Sequence, residues 1–278
     1  QGIPAGELTF FRSSFGVIPV LVFLAARGEL RGALKTKSVT GQVWRGLVGT
    51  CSMMLGFFAL TKLPLPEAVT LNYATPLMIV VVSALFGHEH VRAYRWTAVA
   101  VGLVGVVIIA WPRLTLMSSG VGGDAALGVG AALAGCVGAA FAMLLVRKLT
   151  QTERSTTIVL YFMLSSSIIA LVTVPFGWVM PTPLQAVYLI GAGIAGGIGQ
   201  ILLTESYRHA EMSVIAPFEY SSLVFSVLIG MVFFAEVPTL YMLVGGVIVV
   251  GSGLFIIYRE HRLGLDRAAA RQALTPQG

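Results

Sequence analysis

PEAVTLNYATPLMIVVVSALFG, residues 66–87, carries one acidic side chain near its start and no other charge. As a helix rising 1.5 Å per residue it would be about 33 Å long, enough to cross the roughly 30 Å hydrocarbon core of a bilayer. Near its middle stand Asn72, Tyr73 and Pro76. A polar pair next to a helix breaker at membrane depth is tolerated only where protein or a wet cavity surrounds it. The stretch therefore reads as a membrane-crossing helix with a task at its centre.

Outward from this segment the same reading repeats. Apolar windows separated by polar breaks fall near 8–27, 43–62, 66–87, 94–112, 125–146, 155–178, 183–204, 212–235 and 238–258. The breaks hold charges or prolines: Arg27 to Arg45, Pro64 and Pro66, His88 to Arg95, Pro112 to Asp124, Arg147 to Arg154, Pro181 and Pro183, and Pro238. Only 11% of the residues are charged and 56% are hydrophobic, against about 25% charged in an ordinary soluble domain. The expected fold is an all-α integral membrane protein of nine spans, with no soluble domain between them. Cys51 and Cys136 lie inside apolar spans and are expected to pack, forming neither a disulfide framework nor a metal site.

A net charge of +6 would suggest nucleic acid in a soluble protein. Here the basic residues sit in the loops and report orientation. If residues 43–62 enter from the cytoplasm, fifteen of the eighteen Lys and Arg fall on the cytoplasmic side, including Arg27, Arg31, Lys35, Lys37, Arg45, Arg147, Lys148 and Arg154. Lys62 and Arg113 fall outside, and Arg12 lies within a span. By the positive-inside rule the C-terminus is cytoplasmic, in a bacterial-type inner membrane.

A shift of 147 residues places Tyr73 on Tyr220 and Glu89 on Glu236, and aligns the spans in order. The span at 125–146 has no partner under this shift. The chain begins at Gln1, and a first helix upstream of it is expected. The division is then 1–113 for the first repeat, 114–263 for the second and 264–278 for a basic cytoplasmic tail. Five helices is an odd number, so the second repeat would enter the membrane in the opposite sense. Inverted pairs of this kind support alternating access about a midplane site.

The stretches LTFFRSSFGVIPVL at Leu8 to Leu21, FFALTKLPLPEAVTLNYATPLMIVVVSALFGHE at Phe57 to Glu89, WTAVAVGLVGVVII at Trp96 to Ile109 and APFEYSSLVFSVLIGMVFFAE at Ala216 to Glu236 resemble the drug/metabolite transporter superfamily. The likeness is to its ten-helix EamA-like branch, nearest the exporters of amino acids, including aromatic ones. It covers nearly the whole chain. The resemblance implies a ten-helix carrier with both termini cytoplasmic and no cofactor. The proline that opens a helix in that family is Pro76 in the first half, while the matching second-half position is Leu223.

An ionisable group at the bilayer centre costs roughly 2.5–3.5 kcal/mol on insertion scales, so each one needs a partner or a cavity. Asn72 and Tyr73 have Glu219 and Tyr220 as repeat counterparts, and the four are expected to meet at a central cavity. There Glu219 would pair with a solute ammonium, Asn72 would bond a carboxylate, and the tyrosines would offer faces and hydroxyls. Bonds between packed helices are the alternative. Pro76 and Pro217 are candidate hinges. Gln200 is a candidate for the pathway, with Phe57 among a soft wall that includes Met53 and Met54. Glu205 is expected to pair with Arg208, and Arg12 to snorkel toward the headgroups. Glu89 and Glu236 end matching helices and are expected to be structural.

GAGIAG at Gly191 to Gly196 matches a dinucleotide fingerprint, but no strand precedes it and it lies within a span. Gly193 and Gly197 instead form a close helix contact. No Walker loop, zinc cluster or nucleophile elbow is present in the sequence, which argues against ATP-driven pumping and catalysis. A secondary exporter of amino acids or similar small metabolites is the expected function. Carriage of a vitamin, a nucleoside-derived metabolite or a cationic drug, a membrane-embedded enzyme and a channel are the alternatives.

Overall fold

Helices follow the apolar runs closely. The computed structural model describes residues 2–86, 93–118, 123–209 and 221–274, with backbone alone at 113–118, 207–209, 221, 260–261 and 263–274. Its helices are α1 (Ala5–Ala26), α2 (Val39–Lys62), α3 (Leu65–Asn72), α4 (Thr75–Phe86), α5 (Ala93–Ser118), α6 (Gly123–Leu149), α7 (Ser155–Leu171), α8 (Pro183–His209), α9 (Ser221–Phe234) and α10 (Leu240–Leu274). Seven segments are long and apolar enough to cross a membrane, with α3 and α4 together forming one of them; α7 and α9 are shorter apolar helices. Among the described residues there is no strand. The chain is an all-helical membrane protein.

Three boundaries differ from the sequence reading. Helix α2 begins at Val39 and not near 43, so Arg45, counted with the basic loop, stands well inside the helix. The run 66–87 is broken in two. Helix α10 continues to Leu274, past the expected end of the span at 258 and into the expected tail.

The break has a local cause. Pro76 has no amide hydrogen, so the Asn72 carbonyl loses its usual helical donor. The chain tightens instead: the Tyr73 N–H bonds the Thr70 carbonyl at 3.2 Å and the Ala74 N–H bonds the Leu71 carbonyl at 2.9 Å. Cys136 of α6 fits against this irregular turn. Its thiol donates to the Leu71 carbonyl at 3.5 Å and lies 3.9 Å from both the backbone and side-chain oxygens of Asn72. The cysteine is 1% exposed, so the expected packing residue also satisfies backbone that the proline released.

Close packing depends on glycine at three interfaces. Between α1 and α8, a Cβ at Gly193 would stand 2.6 Å from the Cβ of Phe15 and 2.9 Å from the Phe11 carbonyl. One at Gly197 would strike Gly16 and Pro19. Between α5 and α10, a Cβ on Gly105 would lie 2.8 Å from the Gly245 carbonyl, and one on Gly245 would lie 2.6 Å from the Gly105 carbonyl. Between α2 and α6, Ser52 donates to the Gly135 carbonyl at 2.7 Å. Such contacts are how helices associate in lipid, where no hydrophobic force drives one apolar helix onto another.

One end of the bundle is tied by polar loops. Glu153, between α6 and α7, accepts hydrogen bonds from the Thr36 hydroxyl at 2.8 Å, the Lys37 N–H at 2.6 Å and the Ser38 N–H at 3.1 Å. It thereby anchors the start of α2. Tyr161 donates to the Leu34 carbonyl at 2.9 Å, and Arg154 lies 4.0 Å from Glu29. At the opposite end Lys62 pairs with Asp124 at 2.9 Å, and Glu236 accepts the Leu65 N–H at 3.0 Å at the start of α3.

Candidate functional site

Helix α2 buries a stripe of Gln42, Arg45, Gly46 and Gly49. These residues recur at three- and four-residue spacing, so they share one face. Gly46 and Gly49 leave that face flat, and the Arg45 side chain folds along it. Its guanidinium lies 4.0 Å above the ring of Phe162 on α7. Arg45 is 8% exposed, and its Nε and Nη1 have no hydrogen-bond partner among the described residues. One turn back, Gln42 is 1% exposed, with both amide atoms unpartnered among the same residues.

Arg12 approaches the same space from α1. It is seven residues into the helix, about 10 Å along its axis. Its Nη1 donates to the Met53 sulfur on α2, and its guanidinium stands 5.9 Å from the Phe57 ring. Gly196 of α8 makes room, since a Cβ there would come 3.1 Å from Nε of Arg12. This corrects the expectation that Arg12 snorkels to the headgroups. The side chain turns inward because α8 presents glycine at the crossing.

Between these two guanidinium groups lies a cavity of about 270 Å³, bounded by α1, α2, α6, α7 and α8. Its polar lining is Arg12, Arg45, Ser52, Thr150, Gln200 and Thr204; Met53, Met143 and Phe162 give it apolar walls. Among the described residues no Asp or Glu lines it. Thr150 and Ile158 flank the α6–α7 loop, so the cavity reaches toward the end of the bundle tied by Glu153.

The sequence-derived candidates are distributed unevenly around this space. Gln200 lines it, while Phe57 stands next to it through Arg12. Asn72 and Tyr73 do not line it. They sit at the break between α3 and α4, with Asn72 exposed and Tyr73 buried. The Tyr73 hydroxyl shares a hydrogen bond with the hydroxyl of Ser222 on α9. Pro76 is the second residue of α4. Glu219, Tyr220, Pro217 and Glu89 lie outside the described residues. Glu205 pairs with Arg27 at 3.9 Å, whereas the side chain of Arg208, its expected partner, lies outside the described residues.

A helical membrane bundle enclosing a polar cavity admits many lineages, and comparison with known proteins decides among them. The sequence pattern of the EamA-like transporter family matches residues 1–111 and 126–258. The chain belongs to that family. Among its relatives, the pseudopaline exporter of Pseudomonas aeruginosa is 30% identical over 253 residues, covering 89% of this chain and 84% of the exporter. An S-adenosylmethionine uptake transporter of Rickettsia bellii is 28% identical over 260 residues, covering 92% and 84% of the two chains. A riboflavin transporter of Rhizobium johnstonii is 30% identical over 264 residues, covering 93% and 83%. A solved crystal structure shares the fold of this EamA-like chain with a TM-score of 0.66 at 21% identity, over 94% of this chain and 90% of the other. The named relatives are all carriers of small molecules, and this family member is a transporter.

Proposed function

We propose that this protein is a secondary transporter of the bacterial inner membrane that exports amino acids or similar small metabolites by alternating access through the cavity between Arg12 and Arg45. The observation that carries this reading is a cavity inside a helical bundle that brings Arg12, Arg45 and Gln200 from three helices to one space. Arginine in a lipid-facing position within a span is costly, so its burial against a cavity indicates use.

The packing of the helices supports two inverted repeats, divided at 113 and 263. Under the 147-residue shift α1 corresponds to α7 and α5 to α10, and both corresponding pairs are in contact. The contact of α1 with α8 exchanges into that of α7 with α2, which is also present. Exchange of inward and outward arrangements between such halves is the means by which a fixed site faces each side in turn. The hydrogen bond between Tyr73 and Ser222 supports pairing of the Asn72–Tyr73 break with the opposite half, where Glu219 and Tyr220, shortly before Ser222 in sequence, are further candidates. Pro76 and Pro217 remain the candidate hinges. The basic loops at the Glu153 end support a cytoplasmic C-terminus and a cavity facing inward.

Counterflow in liposomes tests the reading. Purified protein preloaded with unlabelled amino acids should accumulate a labelled one saturably. Absence of movement for every amino acid, with the protein folded, overturns amino-acid export. A second reading, carriage of another metabolite, is favoured by relatives that move S-adenosylmethionine and riboflavin. Inclusion of those two solutes in the same competition panel separates it.

A further inference from the structure

From the donors that surround the cavity we infer the chemistry of its occupant: a small metabolite bearing an oxyanion group, carboxylate or phosphate, held between Arg12 and Arg45. This inference rests on the transporter reading for its physiological meaning, but the binding itself is separately testable.

The cavity is electrostatically one-sided. Among the described residues two guanidinium groups line it and no carboxylate does. Arg12 contacts the soft sulfur of Met53 and approaches the Phe57 ring. Neither contact neutralises a cation. Arg45 is stacked on Phe162 with Nε and Nη1 unbonded. Buried cations are ordinarily paired with a carboxylate or neutralised. An arginine does not lose its proton in a protein. An anion that enters the cavity from outside the protein would satisfy both groups.

The geometry suits such a ligand. The edge of a guanidinium that contains Nε and one terminal nitrogen forms a fork matching the two oxygens of a carboxylate or phosphate. In Arg45 that edge is Nε with Nη2; Nε is unbonded, and Nη1, also unbonded, packs against Gly49. Phe162 sets the plane of the guanidinium by stacking on its face. Gly49 is part of the device, because a Cβ there would overlap Nη1 of Arg45. Gln200 and Ser52 add neutral donors and acceptors on the cavity wall for the rest of the solute. The ammonium-binding carboxylate expected at Glu219 lies outside the described residues and has no counterpart among the residues that line this cavity.

The test combines a covalent footprint with transport. Detergent-solubilised and liposome-reconstituted protein is treated with phenylglyoxal in the presence of glutarate, inorganic phosphate or choline, and modification of Arg45 is read by peptide mass spectrometry. Glutarate or phosphate should slow modification of Arg45 several-fold, with choline inert; whichever protects better identifies the oxyanion. Arg45→Lys, which keeps the charge but loses the fork, and Gly49→Ala, which displaces the fork, should each weaken inhibition of counterflow by the protecting anion about tenfold or more. Equal protection by choline, no protection by either anion, or unchanged inhibition in both folded variants overturns the inference. Protection without transport of any solute leaves anion binding standing and overturns the carrier reading. Transport without protection does the reverse.

Discussion

The Arg45 guanidinium lies 4.0 Å above the Phe162 ring, joining α2 to α7 through a cation with no acidic partner among the described residues. The fold bears the cost of desolvating that charge and recovers part of it from the aromatic face, worth up to about 2 kcal/mol when water is excluded. Function and stability therefore pull against each other at this residue.

Arg45→Met should accordingly melt several degrees above the parent in detergent, a gain of about 1–3 kcal/mol from replacing a buried, unpaired charge by an apolar chain of similar length. The same variant should lose transport. Phe162→Leu should move in the opposite direction thermally, down by about 1–2 kcal/mol, since it removes both ring packing and the cation contact. Scanning calorimetry of the two variants checks the signs.

Glycine positions on α8 should divide sharply. Gly197→Ala places a Cβ against the Gly16 backbone, which cannot move aside cheaply. A loss of about 1–3 kcal/mol is expected. Gly199→Ala meets nothing within 4 Å, so it should be neutral or slightly stabilising through helix propensity. Thermal unfolding of the pair under identical detergent conditions compares them directly.

Acid should loosen the loop clasp before it affects the membrane core. Slight burial pushes the Glu153 carboxyl up, but the Thr36 hydroxyl, the Lys37 and Ser38 amides and the Lys37 charge together outweigh it and hold the pKa below the ordinary 4.5. A depressed pKa contributes stability that is present above the unfolded value and lost as pH falls through the folded one. Protection of the Lys37 and Ser38 amides from hydrogen exchange, corrected for intrinsic rates, should thus hold above pH 4.5 and decline below it. Glu153→Gln should flatten that dependence.

Pro76→Ala restores an amide hydrogen opposite the Asn72 carbonyl. Helices α3 and α4 should then join into a straighter rod, with transport reduced and global stability changed by less than about 1 kcal/mol. Spin labels at Glu67 and Leu85 should report a longer and narrower distance distribution. An unchanged distribution would assign the break to tertiary packing, with Cys136 as its main support.

Much of this architecture was legible because hydropathy acts at the scale of whole spans. Run length located the membrane segments, and Pro76 marked where one of them breaks. The glycine pair at 193 and 197 announced the α1–α8 crossing. Charge misled the reading at α2. Arg45 resembled a loop residue, and only its spacing with Gln42, Gly46 and Gly49 shows that the helix already begins at Val39 and turns that arginine inward. Arg12 was misread for a related reason: sequence gives depth along α1, but direction around the helix depends on Gly196, which belongs to another helix. Gln200 was found because a lone amide in an apolar run stands out. The match of its position to the two arginines required three dimensions.

Among the described residues two guanidinium groups and no carboxylate line the chamber. Hydronium and sodium ions entering it would meet an unfavourable potential, much as fixed positive charge repels protons in water-conducting pores. A protein that opens a hydrated space inside an energised membrane must avoid short-circuiting the ion gradients around it. Arg12 and Arg45 would supply that insulation while no anionic solute is bound.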